Sequence, residues 1–448
     1  MKIKTGDRIF FLGIGGIGMS ALARYARKQG AWVSGYDRTA TEITDELIAE
    51  GIPVIFKDDP ELLPDQLDLV VFTPAIPNDS LLLDRVKKLN IQLLKRAQLL
   101  GVLSESEFTI AIAGTHGKTS ITALTAWILH QAGIHITAFI GGVSKNFNSN
   151  LVLDENPNVF VVEADEFDRS FMYLKPDMAV ISAIEADHLD IYGDATYLCD
   201  AFREFANRLP EDGYLVLQED QNLRCNAHLL CYGFSKHSAT RAQNIVVRPE
   251  GQYFELVFPD KNTIKAFLPL AGKHNLSNAL AAASVAWLYK VIPETIAAGL
   301  ASFKGIKRRF DIRVNQRYFY VDDYAHHPTE IKACLQAVRS LFPNKRITAV
   351  FQPHLYSRTR DFMADFARSL EAIDDLILLD IYPARELPIP EVSSEKLLQM
   401  INLTDKKLAR KEHLLELIDQ QRPEVLVTMG AGDIDRFVKP LEKMISQW

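Results

Sequence analysis

Between Ala111 and Ser120 the chain reads AIAGTHGKTS, an apolar run that breaks into a loop with two glycines, a lysine and several hydroxyl groups. That combination suits phosphate. Ile121, Leu124, Ile128 and Leu129 recur at helical spacing after it, and Phe108 to Ala113 has strand character, so the loop joins a strand to a helix N-terminus. Unpaired N–H groups and the positive end of the helix dipole face an anion there, and glycine lets the main chain approach it. Lys118 would neutralise outer phosphates, and Thr119 or Ser120 would offer a hydroxyl to Mg²⁺. The common form of this motif carries one more glycine, at the position where this chain has Ile112. The strand, loop and helix context still predicts nucleotide binding and ATP use.

A second glycine cluster, GIGGIG at Gly13, Gly15, Gly16 and Gly18, follows a strand, opens a helix and precedes a strand that ends at Asp37. The glycines permit a tight turn and close approach to phosphate, and an acid after the second strand can bind a ribose hydroxyl. Alone, this pattern points to a nicotinamide dehydrogenase. A second nucleotide loop downstream favours the alternative, a domain that holds a nucleotide-linked substrate.

Acids gather at two further strand ends. Residues 158–163 lead into Glu163, Asp165, Glu166 and Asp168, and residues 178–184 into Glu185, Asp187, His188 and Asp190. Ligands of parallel α/β sheets lie beyond the carboxyl ends of the strands. Oxygen donors with an occasional imidazole suit Mg²⁺ bridging phosphates. Glu163 and His188 are the candidate metal ligands, whereas Asp165, Glu166 and Asp190 read as helix caps and solvated loop acids. Asn275 and Asn278, in GKHNLSN, can donate and accept at an adenine edge, and they also suit a helix start. Arg308 or Arg309 has the charge to meet a γ-phosphate. The segments 323–328 (DYAHHP), 352–361 and 429–433 supply histidine and arginine at strand ends, suited to an amine and a carboxylate.

These residues require alternating strands and helices along the whole chain. At 448 residues the length suggests about three domains. We expect an α/β protein with a Rossmann-like N-terminal domain (1–105), a central P-loop ATPase-type α/β domain (106–310) and a Rossmann-like α/β C-terminal domain (311–448). A net charge of −7 argues against a general nucleic-acid binder. Four cysteines without a C-x-x-C pair point to a reducing cytoplasm. The start of the chain has early lysines and then apolar residues, but Asp7, Arg8 and the spaced glycines argue against a leader. The uncharged stretch 119–144 is divided by His130, Gln131, Gly133 and His135 into a buried helix and a strand, so no membrane segment is expected.

Taken in order, these motifs resemble those of the Mur ligases over essentially the full length. They are GIGGIGMS from Gly13 to Ser20, GTHGKT from Gly114, EAD from Glu163, EADH from Glu185, GKHNLSN from Gly272, RRFD from Arg308, DYAHHPTE from Asp323, and Gln352 to Asp361. The family's phosphate loop lacks the extra glycine too. The resemblance implies three domains for a UDP-sugar, ATP and an amino acid. It implies a cytoplasmic ligase reaction in which the lactyl carboxylate of UDP-N-acetylmuramate takes the γ-phosphate of ATP and L-alanine then displaces phosphate. It further implies that Gly114, Thr115, His116, Gly117, Lys118, Thr119 and Ser120 cradle ATP, with His274 and Asn278 near adenine. Thr119 and Glu163 would hold one Mg²⁺ and His188 a second; Lys118, His188 and Arg309 would be catalytic. Gly13, Gly15, Gly16, Gly18, Ser20, Asp37 and Thr73 would serve the UDP-sugar, and Tyr324, His326 and Arg358 the alanine.

Two departures stand out. Some relatives have arginine where this chain has Leu355, and the carbamylated lysine of other Mur ligases has no counterpart between Pro176 and Ser235. The second agrees with an alanine-adding member. Rivals are a murein tripeptide recycling ligase, a folylpolyglutamate synthetase and, from another class, a nicotinamide oxidoreductase with an ATP domain. Monomer and homodimer are both compatible with the sequence.

Overall fold

The computed structural model describes residues 3–105, 107–185, 195–384 and 386–448. Three sheets organise the chain. In the first, the strands run Val54–Ile55, Trp32–Tyr36, Arg8–Leu12, Leu69–Phe72, Gln92–Lys95, all parallel. Arg8–Leu12 is central and almost wholly buried, as a strand covered on both faces must be. It feeds the glycine turn and the helix Ile17–Lys28, whose buried side holds Met19, Ala21, Leu22, Ala23 and Ala26.

The second sheet has ten strands, with Phe108–Ala113 between Met178–Ile181 and Val159–Glu163. The register pairs Ile112 with Glu163 and Ala113 with Ile181, so three carboxyl ends finish level with one another. Beyond Val159–Glu163 lie Ile136–Ser144 and, antiparallel to it, the outermost strand Ser149–Leu153. The helix Lys118–Gln131 carries no Asp, Glu, Lys or Arg after its first residue and is buried nearly all round, with Ile121, Ala123, Leu124, Ala126, Ile128 and Leu129 inside together with Thr119, Thr122 and Thr125. A helix of that composition belongs inside the domain.

The third sheet has six strands, in the order Asp311–Asn315, Phe319–Asp323, Val425–Met429, Ile347–Phe351, Asp375–Leu379, Lys406–Ala409. Only the first pair is antiparallel. Helix Pro328–Leu341 starts on a proline and buries Ile331, Cys334, Leu335, Val338 and Leu341, a stripe at helical period.

The chain forms two compact units. One comprises Met1–Gln243, Glu255–Ala266 and Asn278–Phe303; the other comprises Asn244–Phe254, Phe267–Ser277 and Lys304–Trp448. The phosphate loop belongs to the first unit and the six-stranded sheet to the second. Among the described residues no helix is long and apolar enough to cross a membrane.

Within the first unit, helix Arg96–Ser104 lies against the turn Phe167–Tyr173 that follows the acidic loop. Gly101 makes that approach possible, since a Cβ there would sit 3.0 Å from the Tyr173 carbonyl carbon. Gly101→Ala gains roughly 1 kcal/mol of helix propensity but must push backbone away. We therefore expect a net loss of about 1–2 kcal/mol in urea unfolding with an unchanged slope; a variant as stable as the parent would show that the contact is loose.

Candidate active site

The phosphate loop is set by two glycines with positive φ, Gly114 at 130° and Gly117 at 84°. Gly117 caps the helix that starts at Lys118, and any side chain there would strike the Asn278 amide. Lys118 Nζ donates to the Gly114 carbonyl at 2.7 Å and to the two Glu166 oxygens at 2.9 and 2.7 Å. Burial pulls the Lys118 ammonium down, but the carboxylates of Glu166, Asp165 and Glu163 outweigh it and hold its pKa above the ordinary lysine value. The loop is braced from the neighbouring strand. Thr115 N–H donates to Ala183 O at 3.0 Å, Glu185 N–H donates to Thr115 Oγ1 at 3.2 Å, and the Ser182 hydroxyl bonds to His116 O. His116 Nε2 lies 3.4 Å from a Glu185 oxygen.

Glu163 ends its strand and accepts from Gly141 N–H at 2.9 Å; a Cβ on Gly141 would fill the space the carboxylate occupies. Asp165 pairs with Arg96 at 3.1 Å. Among the described residues of this network, three carboxylates (Glu163, Asp165, Glu166) thus meet two cations (Lys118 and Arg96), one acid more than base. With the buried Thr119 hydroxyl on the adjoining helix, the donor set is hard oxygen with surplus negative charge, which fits Mg²⁺. His188, Asp187 and Asp190 lie outside the described residues.

Sequence reasoning missed Glu166. It sits in a run of acids that looks solvated, yet the turn Phe167–Tyr173 folds it inward until its side chain is 1% exposed. Asp165, likewise read as a loop acid, is bound to Arg96. The available signal was a lysine with no nearby acid in its own loop.

In the first sheet, Gly13 has φ 86° and its N–H donates to Tyr36 O at 2.7 Å, while a Cβ on it would meet the Thr73 methyl at 2.7 Å. Gly15 N–H donates to Asp37 Oδ2 at 2.9 Å, so Asp37 closes the glycine turn. Gly16 caps the helix, and Gly18 lies against Arg96. The Ser20 hydroxyl is buried and donates to Ile17 O at 2.9 Å.

The second unit gathers another cluster. Arg309 lies over the Tyr324 ring at 5.0 Å and 3.6 Å from Glu330. His326 Nδ1 is 3.0 Å from Tyr324 O and 3.3 Å from Glu330, which also accepts from the His326 N–H at 3.1 Å. Burial pulls the His326 imidazole down to about 4 against the upward pull of Glu330, and the charges of Arg358 and Arg309 lower it further. Burial likewise brings His274 to about 4. Asp323 is buried and pushed up to about 6, although Arg309 and the N–H groups of Phe310 and Ala325 oppose this. Tyr324, His326, Arg309 and Arg358 therefore share one environment. Arg308 bonds to Asp322 at 3.2 Å and Gly430 O at 2.6 Å, and its guanidinium also lies over the Tyr324 ring at 5.3 Å. Leu355 has φ 70° and caps helix Tyr356–Asp361, its N–H donating to Tyr382 O at 2.9 Å.

Three family models match in succession: the Mur ligase family catalytic domain over residues 8–107, the Mur ligase middle domain over 112–286 and the Mur ligase glutamate ligase domain over 308–432. The chain is 46% identical over 443 residues to a UDP-N-acetylmuramate–L-alanine ligase from Christiangramia forsetii, covering 97% of each chain. It is 43% identical to the ligase of that name from Flavobacterium psychrophilum, covering 100% of each. Among solved structures, a UDP-N-acetylmuramate–alanine ligase from Thermotoga maritima superimposes with a TM-score of 0.84 at 26% identity, over 98% of this chain and 99% of that one.

Removing Glu166 strands a buried ammonium. Glu166→Ala should cost about 3 kcal/mol or more in denaturant unfolding, and Glu166→Gln, which keeps a hydrogen-bond acceptor, clearly less. Equal stability of both variants and the parent would mean that the pair holds nothing. The histidines give a pH test. A lowered imidazole pKa means the unfolded chain takes up protons first, so their contribution to stability is intact above about pH 6.5 and is lost as pH falls toward 4. In NMR titration, His274 and His326 should stay neutral at pH 5.5; a midpoint near the ordinary value for either would refute its burial.

Proposed function

Because the chain belongs to the Mur ligase family, we propose that it joins L-alanine to the lactyl carboxylate of UDP-N-acetylmuramate in cytoplasmic peptidoglycan precursor synthesis, with ATP converted to ADP and phosphate. A carboxylate is a poor acyl donor because its leaving group would be oxide. Attack of a lactyl oxygen on the γ-phosphorus, with loss of ADP, converts it to an acyl phosphate. The alanine amine then adds to the acyl carbon, phosphate departs with the C–O bond pair, and the amine gives up a proton.

The residues divide this work. Residues 1–105 hold the UDP-sugar, 106–310 ATP and 311–448 alanine. The glycine turn from Gly13 to Gly18 sets the N-terminus of helix Ile17–Lys28 toward the diphosphate of the sugar nucleotide, with Asp37 and Thr73 beside it. Gly114 to Ser120 cradle the ATP phosphates, with Asn278 and His274 assigned to the adenine end. Lys118 neutralises charge as two anions meet. Thr119 and Glu163 would hold one Mg²⁺ and His188 a second; when bound, such ions screen the phosphate oxygens. Arg309 meets the transferring phosphate. Tyr324, Arg358 and His326 receive alanine, and an imidazole that is neutral at pH 7 can accept a hydrogen bond from its ammonium group.

One observation carries the reaction class: a lysine ammonium fixed in a glycine loop at a helix N-terminus, facing the acidic ends of adjacent strands. The full-length relatives support the substrates. Phosphate release in the presence of UDP-N-acetylmuramate, ATP and Mg²⁺ should require L-alanine, with glycine and L-serine as weaker acceptors. Release only with the murein tripeptide would replace this reading with the recycling one. Lys118→Ala should lower turnover by about 10³-fold or more while UDP-sugar binding by calorimetry is kept; parallel loss of both would argue against separate sites.

A further inference from the structure

The sheet that carries the phosphate loop also packs on the helix that carries the other glycine turn, with Tyr25 against Phe139 and Phe160, and one buried amide adds directional bonds to that packing. Asn150 belongs to the outermost strand, Ser149–Leu153, and is 1% exposed. Its Nδ2 donates to Ile17 O at 2.6 Å and to the Ser20 hydroxyl at 2.9 Å, and its Oδ1 accepts from Arg24 Nη1 at 2.8 Å. Both amide hydrogens and the carbonyl are thereby used. Ile17 is the first residue of helix Ile17–Lys28, and Ser20 and Arg24 lie on its following turns. Arg24 is itself fixed, with Nε on the Glu50 carboxylate at 2.9 and 3.0 Å and Nη2 on Glu46 at 2.9 Å.

An apolar residue at position 150 would seal the same contact, but apolar packing does not dictate how the helix turns about its axis. A buried amide with three directional partners does, because any other rotation leaves polar atoms unmatched. From Asn150 the path continues into the neighbouring strand. Its strand pairs antiparallel with Ile136–Ser144, the register shifting between Phe139 and Ser144, and Gly141 within that stretch donates to Glu163. The first turn of the sugar-nucleotide helix and the candidate Mg²⁺ carboxylate are thus joined through two neighbouring strands.

We propose that Asn150 is a positioning residue: it fixes the diphosphate seat of the first sheet relative to the ATP loop, and so sets the approach of the lactyl carboxylate to the γ-phosphate. This rests on the ligase reading above. Each nucleotide keeps its own contacts when Asn150 is changed, so binding should survive while the reaction suffers. Reactive geometry is the sensitive quantity, since a displacement of about 1 Å costs on the order of a hundredfold.

The deciding variant is Asn150→Asp, similar in size and still able to pair with Arg24, but presenting an acceptor to the Ile17 carbonyl. The milder Ser20→Ala deletes one of the three bonds without adding charge. For Asn150→Asp we expect kcat to fall by roughly tenfold to a hundredfold, with calorimetric Kd values for UDP-N-acetylmuramate and for a non-hydrolysable ATP analogue each within about threefold of the parent. Ser20→Ala should fall in the same direction by roughly threefold. The proposal is overturned if kcat of both variants stays within about twofold of the parent, or if kcat and both affinities decline together as in general structural damage. A parent enzyme that makes no ADP in the same assay would instead defeat the ligase reading, so the two failures are told apart.

Discussion

A lysine ammonium buried between a loop carbonyl and a carboxylate is the constraint around which the first unit is built. Isolated, such a charge would not remain inside a protein. Lys118 stays because Gly114 O and both oxygens of Glu166 take its three protons. Each partner in turn depends on a separate element. Gly114 must take φ 130° at the end of Phe108–Ala113, and Glu166 must be turned inward after Val159–Glu163. The parallel register that levels those two strands is therefore also the arrangement that satisfies the charge. Packing and electrostatics here specify one geometry rather than two that happen to agree.

The second unit applies the same logic to guanidinium and imidazole. Glu330, in the first turn of helix Pro328–Leu341, faces Arg309 and His326, while Asp323 accepts from the N–H groups of Phe310 and Ala325. Those last bonds hold a backbone in which Arg308 and Phe310 both have positive φ, 63° and 45°. Such conformations cost free energy for residues with side chains and persist only where the surroundings impose them. Here the carboxylate of Asp323 does so, and the outcome is that both guanidinium groups lie over the Tyr324 ring while Arg308 pairs with Asp322 and Arg309 with Glu330.

Much of this was legible in the sequence wherever one residue type had a single physical use. The glycines at 13, 114 and 117 predicted turns, and each has positive φ. Apolar runs predicted several parallel strands to within a residue or two, for example Ile347–Phe351 and Val425–Met429, whereas the run 178–184 overshot a strand that ends at Ile181. Two things were not legible. The strands Ser149–Leu153 and Thr240–Arg248 carry polar and apolar residues in mixed order, because an outer or solvated strand is set by its neighbour more than by its own pattern. The roles of Glu166, Arg96 and Asn150 depend on partners dozens of residues away, and an acid or amide looks the same in a sequence whether solvated or buried.

Holding the cation with a carboxylate before any ligand arrives has a further consequence for selectivity. Lys118 is already largely stripped of water, so a phosphate that replaces Glu166 as its partner incurs little new desolvation at the ammonium. The incoming anion must nevertheless outcompete that carboxylate in a region where, among the described residues, Glu163 and Asp165 also bear on the ammonium. A singly charged anion offers Lys118 no more than Glu166 does. A polyphosphate offers more charge but meets Glu163 and Asp165 as well, and that repulsion is removed only by a cation with oxygen affinity between them. On the proposed function, the surplus acid among the described residues around Lys118 would make tight nucleotide binding conditional on a bound cation, reserving the loop for a metal–nucleotide complex over the many simple anions that a bare lysine would accept.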